Sequence, residues 1–497
     1  MRLNILFGGV AGSGPNILSH LVAEALIEKG YYVFYSRDYQ SLIRGGHNFN
    51  VLTFSDEPVF SNESKIDIIV ALDENTEKIH KKELKKDSIV LKGEDENMYF
   101  AGRLFKILCL DFKLLEEKLK NLKNFEENLK NAKKGYEIEK KKSSICDVKI
   151  KSKKEFINGS QGITEGAVKS GLDIYYAYPM TPATPLLFEL APRQQKDNIL
   201  VLELESEISV MMSALGSAST GAKSMVGTSG GGFDLMTEGF SMSGMAEIPI
   251  VVYLASRPGP STGVATYTSQ GDLNLARHCG HGEFFRMVLA PGDPNEAQEL
   301  ISHAFYFSQK YKIPAIVLSD KHLAESFYTL SENAKIIKSE KSTFLKKYNS
   351  YEHDEKGIAT ENAEIIKKNF ERRLKKQKEI EKEAEKFEMF KFYGKKDYKN
   401  LIVSWGSPKG AILDAIKDLS CKFLQILYIE PFSVKIVDEL RKAKNIIIIE
   451  NNATSPLSDL IREKTGILIE DKNKILRYDG RPFLSDELNE EIRGRLK

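Results

Sequence analysis

Three acids, Glu203, Glu205 and Glu207, alternate where the apolar run Ile199–Leu204 gives way to a helical stretch. Alternation keeps them on one face while the strand persists. Such a face is either an exposed edge with acids at a helix N-terminus or the place where one carboxylate, set among small residues, meets a cofactor. Arg257 follows a second apolar run, Ile250–Leu254, inside Ser256-Arg257-Pro258-Gly259-Pro260-Ser261-Thr262-Gly263. A guanidinium at a strand end is a fork for a carboxylate or phosphate, unless it packs against loop carbonyls. Tyr178-Pro179-Met180-Thr181-Pro182-Ala183-Thr184-Pro185 is a proline-stiffened loop that presents two hydroxyls. It suits a small carboxylate, and it also reads as a structural turn. Met225–Phe233 is a further loop rich in glycine.

Near the N-terminus, Gly8, Gly9, Gly12 and Gly14 separate a strand from a helix. No Lys-Ser/Thr follows, so this is not a P-loop. Ile17 stands where a dinucleotide fingerprint needs its third glycine. The turn either holds a phosphate on helix amides or packs strand tightly on helix. Arg44 and His47 flank Gly45-Gly46 and either face the same phosphate or cap a turn.

The elements that position these groups alternate between strands and helices, which predicts α/β domains with parallel sheets. In residues 1–150, strands are expected at Leu3–Phe7, Tyr32–Tyr35 and Ile68–Leu72, and a helix over Asn16–Lys29. Leu115, Leu119, Leu122 and Leu129 predict one amphipathic helix, ending in a linker at Lys140–Lys142. Residues 151–340 form a second α/β domain with strands at Ile174–Ala177, Ile199–Leu204, Ile250–Leu254 and Ala315–Ser319. Its loops lie at the strand ends where such folds place ligands. Residues 341–397 are a charged helical insertion, with Glu361–Phe387 as a surface helix or a clamp to a partner. Residues 398–497 restart with strands at Leu401–Ser404, Ile426–Ile429 and Ile446–Ile449.

The 497 residues suit about three domains at ~150 residues each. With 72 basic against 70 acidic residues, the charge offers nothing to nucleic acid or an acidic membrane. Cys109, Cys146, Cys279 and Cys421 are scattered. That spacing lacks the clusters of iron–sulfur or zinc sites. It argues against a disulfide framework and fits a reducing cytosol. No signal peptide and no membrane span is read in the sequence, and no metal ligand set.

The order of these loops resembles one family. Y-P-M-T-P-A-T from Tyr178, E-S-E from Glu205, T-S-G-G-G-F-D-L-M-T-E-G from Thr228, R-P-G-P-S-T-G from Arg257, S-Q-G-D-L from Ser269 and H-G-E-F-F-R from His281 look like the alpha subunit of 2-oxoacid:ferredoxin oxidoreductases. Trp405-Gly-Ser, Ile429-Glu-Pro-Phe, Glu450-Asn-Asn-Ala-Thr and Tyr478-Asp-Gly-Arg-Pro-Phe are similar to the 2-oxoglutarate branch. The first 150 residues resemble the gamma subunit, fused ahead of alpha.

The resemblance implies a central thiamine-diphosphate (pyrimidine-type) fold and a transketolase C-terminal-like last domain. It implies oxidative decarboxylation of a 2-oxoacid with coenzyme A, giving acyl-CoA, carbon dioxide and reduced ferredoxin. Thiamine diphosphate would be shared with a separate beta subunit that holds magnesium and a 4Fe–4S cluster, in an (αβ)2 cytoplasmic assembly. Glu207 matches the glutamate beside the aminopyrimidine ring, where a carboxylate favours the imino tautomer. Thr181, Arg257 and Thr266 match substrate contacts. Tyr178, Pro179, Ser229, Gly230, Gly232 and Phe233 match cofactor contacts, and Gly12, Gly14 and Arg44 are candidate phosphate contacts for coenzyme A. Pro185, Gly231 and Ser455-Pro456 depart from the family pattern. Competing readings are pyruvate or a branched-chain 2-oxoacid as substrate, a non-redox thiamine-dependent component, and a non-catalytic assembly subunit.

Overall fold

The computed structural model describes residues 1–40, 46–93, 97–140, 155–330, 333–342 and 347–496. The chain is mixed α/β with three sheets and divides into two compact units. One is Met1–Ile157 with Ser326–Ser331 and Leu484–Asn489, and the other holds the rest.

The first unit is built on seven strands in the order Leu84–Lys92, Ile66–Ala71, Arg2–Val10, His47–Ser55, Tyr32–Asp38, Phe327–Leu330, Glu155–Asn158. Arg2–Val10 runs parallel to Ile66–Ala71 but antiparallel to His47–Ser55, which is antiparallel to Tyr32–Asp38. The sheet is therefore mixed, against the parallel expectation. The link from Asp38 to His47 is too short for a crossover helix, which takes about a dozen residues or more. Leu18, Leu21, Val22, Ala25 and Leu26 bury one stripe of helix Pro15–Glu28 against the sheet. The single helix expected after Lys113 is two, Phe112–Leu119 and Phe125–Ile138, with Asn124 at φ 59° between them. Cys279 and Cys421 are free and buried, and Cys146 lies outside the described residues.

The second unit carries the site. Its central sheet has the order Tyr428–Glu430, Met287–Leu289, Pro314–Asp320, Ile250–Ser256, Ser224–Thr228, Ile174–Ala177, Leu200–Glu203. The last six strands run parallel. Pro314–Asp320 and Ile250–Ser256 are buried along their whole length, as continuous apolar runs in a doubly covered parallel sheet must be. A second sheet of five strands follows the order Phe390–Gly394, Cys421–Ile426, Asn400–Trp405, Asn445–Glu450, Lys474–Leu476. The strand expected at Ile426–Ile429 is split at Leu427. Its first part belongs to the five-stranded sheet, and Tyr428–Glu430 crosses to pair antiparallel with Met287–Leu289.

The charged segment forms helix Ala363–Ala384, whose Ile380 and Ala384 are buried in the core beneath the central sheet. Arg372 donates to Glu247 at 2.9 Å, and Lys376 reaches the same carboxylate. Burial pushes Glu247 up, but these two cations hold it down at about 2. The helix is thus fastened to its own domain. Among the described residues, no helix is long and apolar enough to cross a membrane.

Candidate active site

The parallel strands bring four loops to one edge. Ala177 lies opposite both Glu203 and Gly227, Leu254 opposite Thr228, and Ser256 opposite Asp320. The chains leaving Ala177, Glu203, Thr228 and Ser256 therefore emerge side by side.

The three acids do not share a face. The strand stops at Glu203, which is exposed, as is Glu205. Ser206 caps the next helix by accepting from Ser209 N at 3.3 Å, and Glu207 is the first residue of that helix, only 6% exposed. Glu207 stands over Gly232. A Cβ there would be 2.9 Å from Glu207 Cγ, 3.0 Å from its Oε1 and 2.2 Å from Thr228 Oγ1.

Ser229 caps helix Gly230–Ala246 in extended backbone, and its buried hydroxyl has no partner among the described residues. A Cβ on Gly230 would lie 2.7 and 2.8 Å from the carboxylate oxygens of Asp272. Phe233 is fully buried against Phe240, ring centroids 5.4 Å apart. Its ring anchors the loop in the core and does not line the site. Tyr178 and Pro179 are exposed beside it.

Arg257 Nη1 donates to the Thr181 carbonyl at 2.8 Å, so these two loops are joined. One of its five N–H donors is committed there. Burial pulls the Arg257 guanidinium down, and Asp272 opposes it. Thr266 is buried nine residues on. The loop is pinned beyond that point. Gln270 N donates to Asn451 O at 2.7 Å, Gln270 Nε2 to Trp405 O at 2.8 Å, and Asn451 N to Gln270 Oε1 at 2.8 Å.

Two residues here were not singled out from sequence. Asp272 is a half-buried acid beside Ser256. Burial pushes its carboxyl up, Asp234 adds to that, and Ser256 and Arg257 oppose it. Gln270 is the fully buried hub just described. Both belong to Ser269-Gln270-Gly271-Asp272-Leu273, which served only as a family marker. The departures find local reasons. Pro185 sits in the first turn of helix Thr184–Leu190, where its missing N–H costs nothing. A Cβ on Gly231 would make only an ordinary contact, 3.8 Å from the Ser261 carbonyl oxygen. Ser455, at φ 54°, donates to Glu450 at 3.0 Å.

In the other unit, Gly12 and Gly14 adopt φ of 93° and 89° ahead of helix Pro15–Glu28, and the buried Ser13 hydroxyl has no partner among the described residues. Arg44 lies outside the described residues. His47 meets His80, Nε2 to Nε2 at 2.8 Å, and burial pulls its ring down, with His80 adding to the effect.

A sequence-family model described as pyruvate ferredoxin/flavodoxin oxidoreductase matches residues 4–121. A second, described as the thiamine-diphosphate-binding part of pyruvate flavodoxin/ferredoxin oxidoreductase, matches residues 165–391. The 2-oxoacid:ferredoxin oxidoreductase alpha subunit of a Sulfolobus species is 29% identical, with 99% of this chain and 96% of that one aligned. The 2-oxoglutarate synthase subunit KorA of Methanocaldococcus jannaschii is 30% identical, with 60% of this chain and 89% of that one aligned. This chain belongs to the 2-oxoacid:ferredoxin oxidoreductases, as an alpha subunit. Its fold is also that of a solved 2-oxoglutarate:ferredoxin oxidoreductase from Magnetococcus marinus, at TM-score 0.90 and 23% identity over the whole of both chains. That structure holds 2-oxoglutarate, coenzyme A and succinyl-CoA.

In this alpha subunit, Thr181, Glu207, Ser229, Arg257 and Thr266 all fall in the segment matched as thiamine-diphosphate-binding. Its residues fit such a cofactor. The partnerless buried Ser229 hydroxyl and the buried Glu207 carboxylate supply polar atoms of the kind a polar aromatic ring meets.

Proposed function

We propose that this chain, with a separate beta subunit, oxidises 2-oxoglutarate in the presence of coenzyme A and passes the electrons to ferredoxin. The balanced reaction takes a 2-oxoacid anion, the coenzyme A thiol and two oxidised ferredoxins. It gives acyl-CoA, carbon dioxide, one proton and two reduced ferredoxins. Magnesium and the 4Fe–4S cluster belong, in this reading, to the beta subunit of an (αβ)2 assembly in the cytoplasm. The observation that carries the reading is Glu207, a buried carboxylate at a helix start, set over Gly232 and one strand end away from the joined Thr181–Arg257 pair.

Thiamine diphosphate, when bound, supplies the nucleophilic carbon and electron sink that decarboxylation needs. Glu207 holds a proton-accepting oxygen against the ring nitrogen of that group. Arg257 offers its remaining N–H donors to the substrate carboxylate, and its bond to the Thr181 carbonyl fixes the direction of the fork. The Thr181 and Thr266 hydroxyls orient the keto acid. Gln270 and Asn451 keep the loop that carries Thr266 in register. Tyr178 and Pro179 border the ring site. In the N-terminal unit, Gly12, Gly14 and Arg44 are proposed to meet the phosphates of coenzyme A, supported by the helix N-terminus and the partnerless Ser13 hydroxyl.

The test is viologen reduction by protein purified without oxygen from its own cells, with 2-oxoglutarate, pyruvate or 2-oxoisovalerate, each with and without coenzyme A. Reduction that needs coenzyme A and is fastest with 2-oxoglutarate is expected. Faster reduction with pyruvate or 2-oxoisovalerate would replace the substrate. No reduction with any of the three, from a preparation containing thiamine diphosphate and a cluster-bearing second chain, would remove the redox reading.

A further inference from the structure

Gln270 lies on the loop that runs from Arg257 to Asp272, four residues after Thr266 and two before Asp272. The Asp272 carboxylate in turn acts on the Arg257 guanidinium. Gln270 therefore stands between the two substrate-side parts of the loop. All its polar groups are paired. Its N–H and side-chain oxygen bond Asn451, and its side-chain amide donates to the Trp405 carbonyl. Its carbonyl accepts from Asn452 Nδ2 at 3.2 Å. These partners stand at the ends of two strands that run parallel and adjacent in the five-stranded sheet, Asn400–Trp405 and Asn445–Glu450.

One side chain ties those two strand ends together. Glu450 is fully buried. Its Oε1 accepts from Trp405 Nε1 at 2.9 Å and from Asn452 Nδ2 at 3.1 Å. Its Oε2 accepts from Ser455 Oγ at 3.0 Å and from Leu457 N at 3.2 Å. An indole N–H and an amide NH2 can only donate, so Trp405 and Asn452 both need the acceptor that Glu450 supplies. Asn452 Nδ2 bridges Glu450 to the Gln270 carbonyl. Burial pushes the Glu450 carboxyl up to about 7, so its ionisation weakens the fold as pH rises. What the acid supplies is direction for Trp405 and Asn452 rather than stability.

We propose that Glu450 is a positioning residue of the 2-oxoacid site, acting through Trp405 and Asn452 on Gln270. Gln270 then fixes Thr266 on one side and Asp272 on the other. The inference rests on the reading that Arg257 and Thr266 line the 2-oxoacid site. Glu450 itself touches neither substrate nor cofactor in this role.

The experiment measures viologen reduction by the complete enzyme, with kcat/KM taken separately for its fastest 2-oxoacid and for coenzyme A. Glu450→Ala removes the shared acceptor. It is expected to lower kcat/KM for the 2-oxoacid by about 10- to 100-fold, the effect of a misplaced substrate contact, and to leave kcat/KM for coenzyme A unchanged. Glu450→Gln keeps one oxygen for Trp405 and Asn452 and should recover most of the loss. Asn452→Ala cuts the link to the Gln270 carbonyl while Glu450 stays. It should show the same selective loss, and it carries the test if Glu450→Ala does not fold. Loss of folded enzyme lowers both constants equally, so an equal fall would make Glu450 a structural tie only and overturn the proposal. So would no fall in either constant, or a Gln variant no better than Ala. Thr266→Val separates the two readings. If it leaves kcat/KM for the 2-oxoacid unchanged, the reading of the loop falls and takes the proposal with it. If it lowers that constant while Asn452→Ala does not, Glu450 alone loses its role.

Discussion

Two glycine-rich turns link a strand to a helix in this chain, and they use glycine for different reasons. In Gly12-Ser13-Gly14 both glycines have positive φ, 93° and 89°, so the backbone itself demands them. In Ser229-Gly230-Gly231-Gly232 no glycine has positive φ. There the demand is for space, because a Cβ on Gly230 or Gly232 would strike Asp272, Thr228 or Glu207. One turn is shaped by torsion and the other by the side chains stored above it. A third turn, after Asn445–Glu450, manages without glycine. Glu450 accepts Leu457 N of the next helix at 3.2 Å, Trp405 Nε1 at 2.9 Å and Ser455 Oγ at 3.0 Å.

The contrast breaks most visibly at Glu207. Glu207→Gln is expected to lower kcat by about 10²- to 10⁴-fold, the usual worth of a positioned acid–base group, with the fold intact by circular dichroism. Gly232→Ala should come next, with about a 10²-fold loss of activity from displacing Glu207 and about 1–3 kcal/mol of overpacking. Urea unfolding and turnover, measured together, separate the two effects.

Glu450 tests the glycine-free turn. Burial pushes its carboxyl up to about 7 from an ordinary 4.5, against the pull of Trp405, Asn452 and Ser455. Between those values the folded chain holds the extra proton. Its contribution to stability is therefore full below pH 4.5 and is lost as pH rises to 7. A loss of about 3 kcal/mol is expected across that window. The urea midpoint should fall from pH 5 to pH 8 in the native protein, and the slope should flatten in Glu450→Gln.

The smallest effects sharpen the torsional turn. Gly12 has nothing within 4 Å of a Cβ, so Gly12→Ala should cost only the left-handed backbone, about 1–2 kcal/mol, and Gly12→Asn less. Gly14→Ala should cost more, since its Cβ would meet Asn97 Nδ2 at 2.0 Å. Adding Asn97→Ala should return the excess and leave the torsional part. A double-mutant cycle in urea measures both.

How far the sequence speaks depends on where each signal resides. The strands expected at Ile250–Leu254 and Ala315–Ser319 are legible because a strand buried on both faces is a nearly continuous apolar run, and the structure extends them to Ile250–Ser256 and Pro314–Asp320. His47–Ser55 was not, because its buried and half-buried residues mix Asn, Thr and Phe, and its partner is chosen by a short link. Arg257 and Thr181 stood out by type, but their bond depends on two strand ends that share no sequence neighbourhood. Gln270 owes its burial to chain far along, at Trp405 and Asn451, and Asp272 owes its charged neighbour to the loop at Arg257, and no local pattern announces either. The split at Leu427 was hidden for the same reason, since one apolar run served two sheets.

That split has a consequence for synthesis. Met287–Leu289 gains its outer neighbour only when Tyr428–Glu430 exists. While the ribosome is still making the charged helix, the central sheet is complete but for one bare edge, and a bare edge pairs readily with other chains. The nascent protein therefore presents this edge to other chains in the interval between emergence of Asp320 and emergence of Glu430. A gene divided at the charged helix would make that interval permanent for its first product.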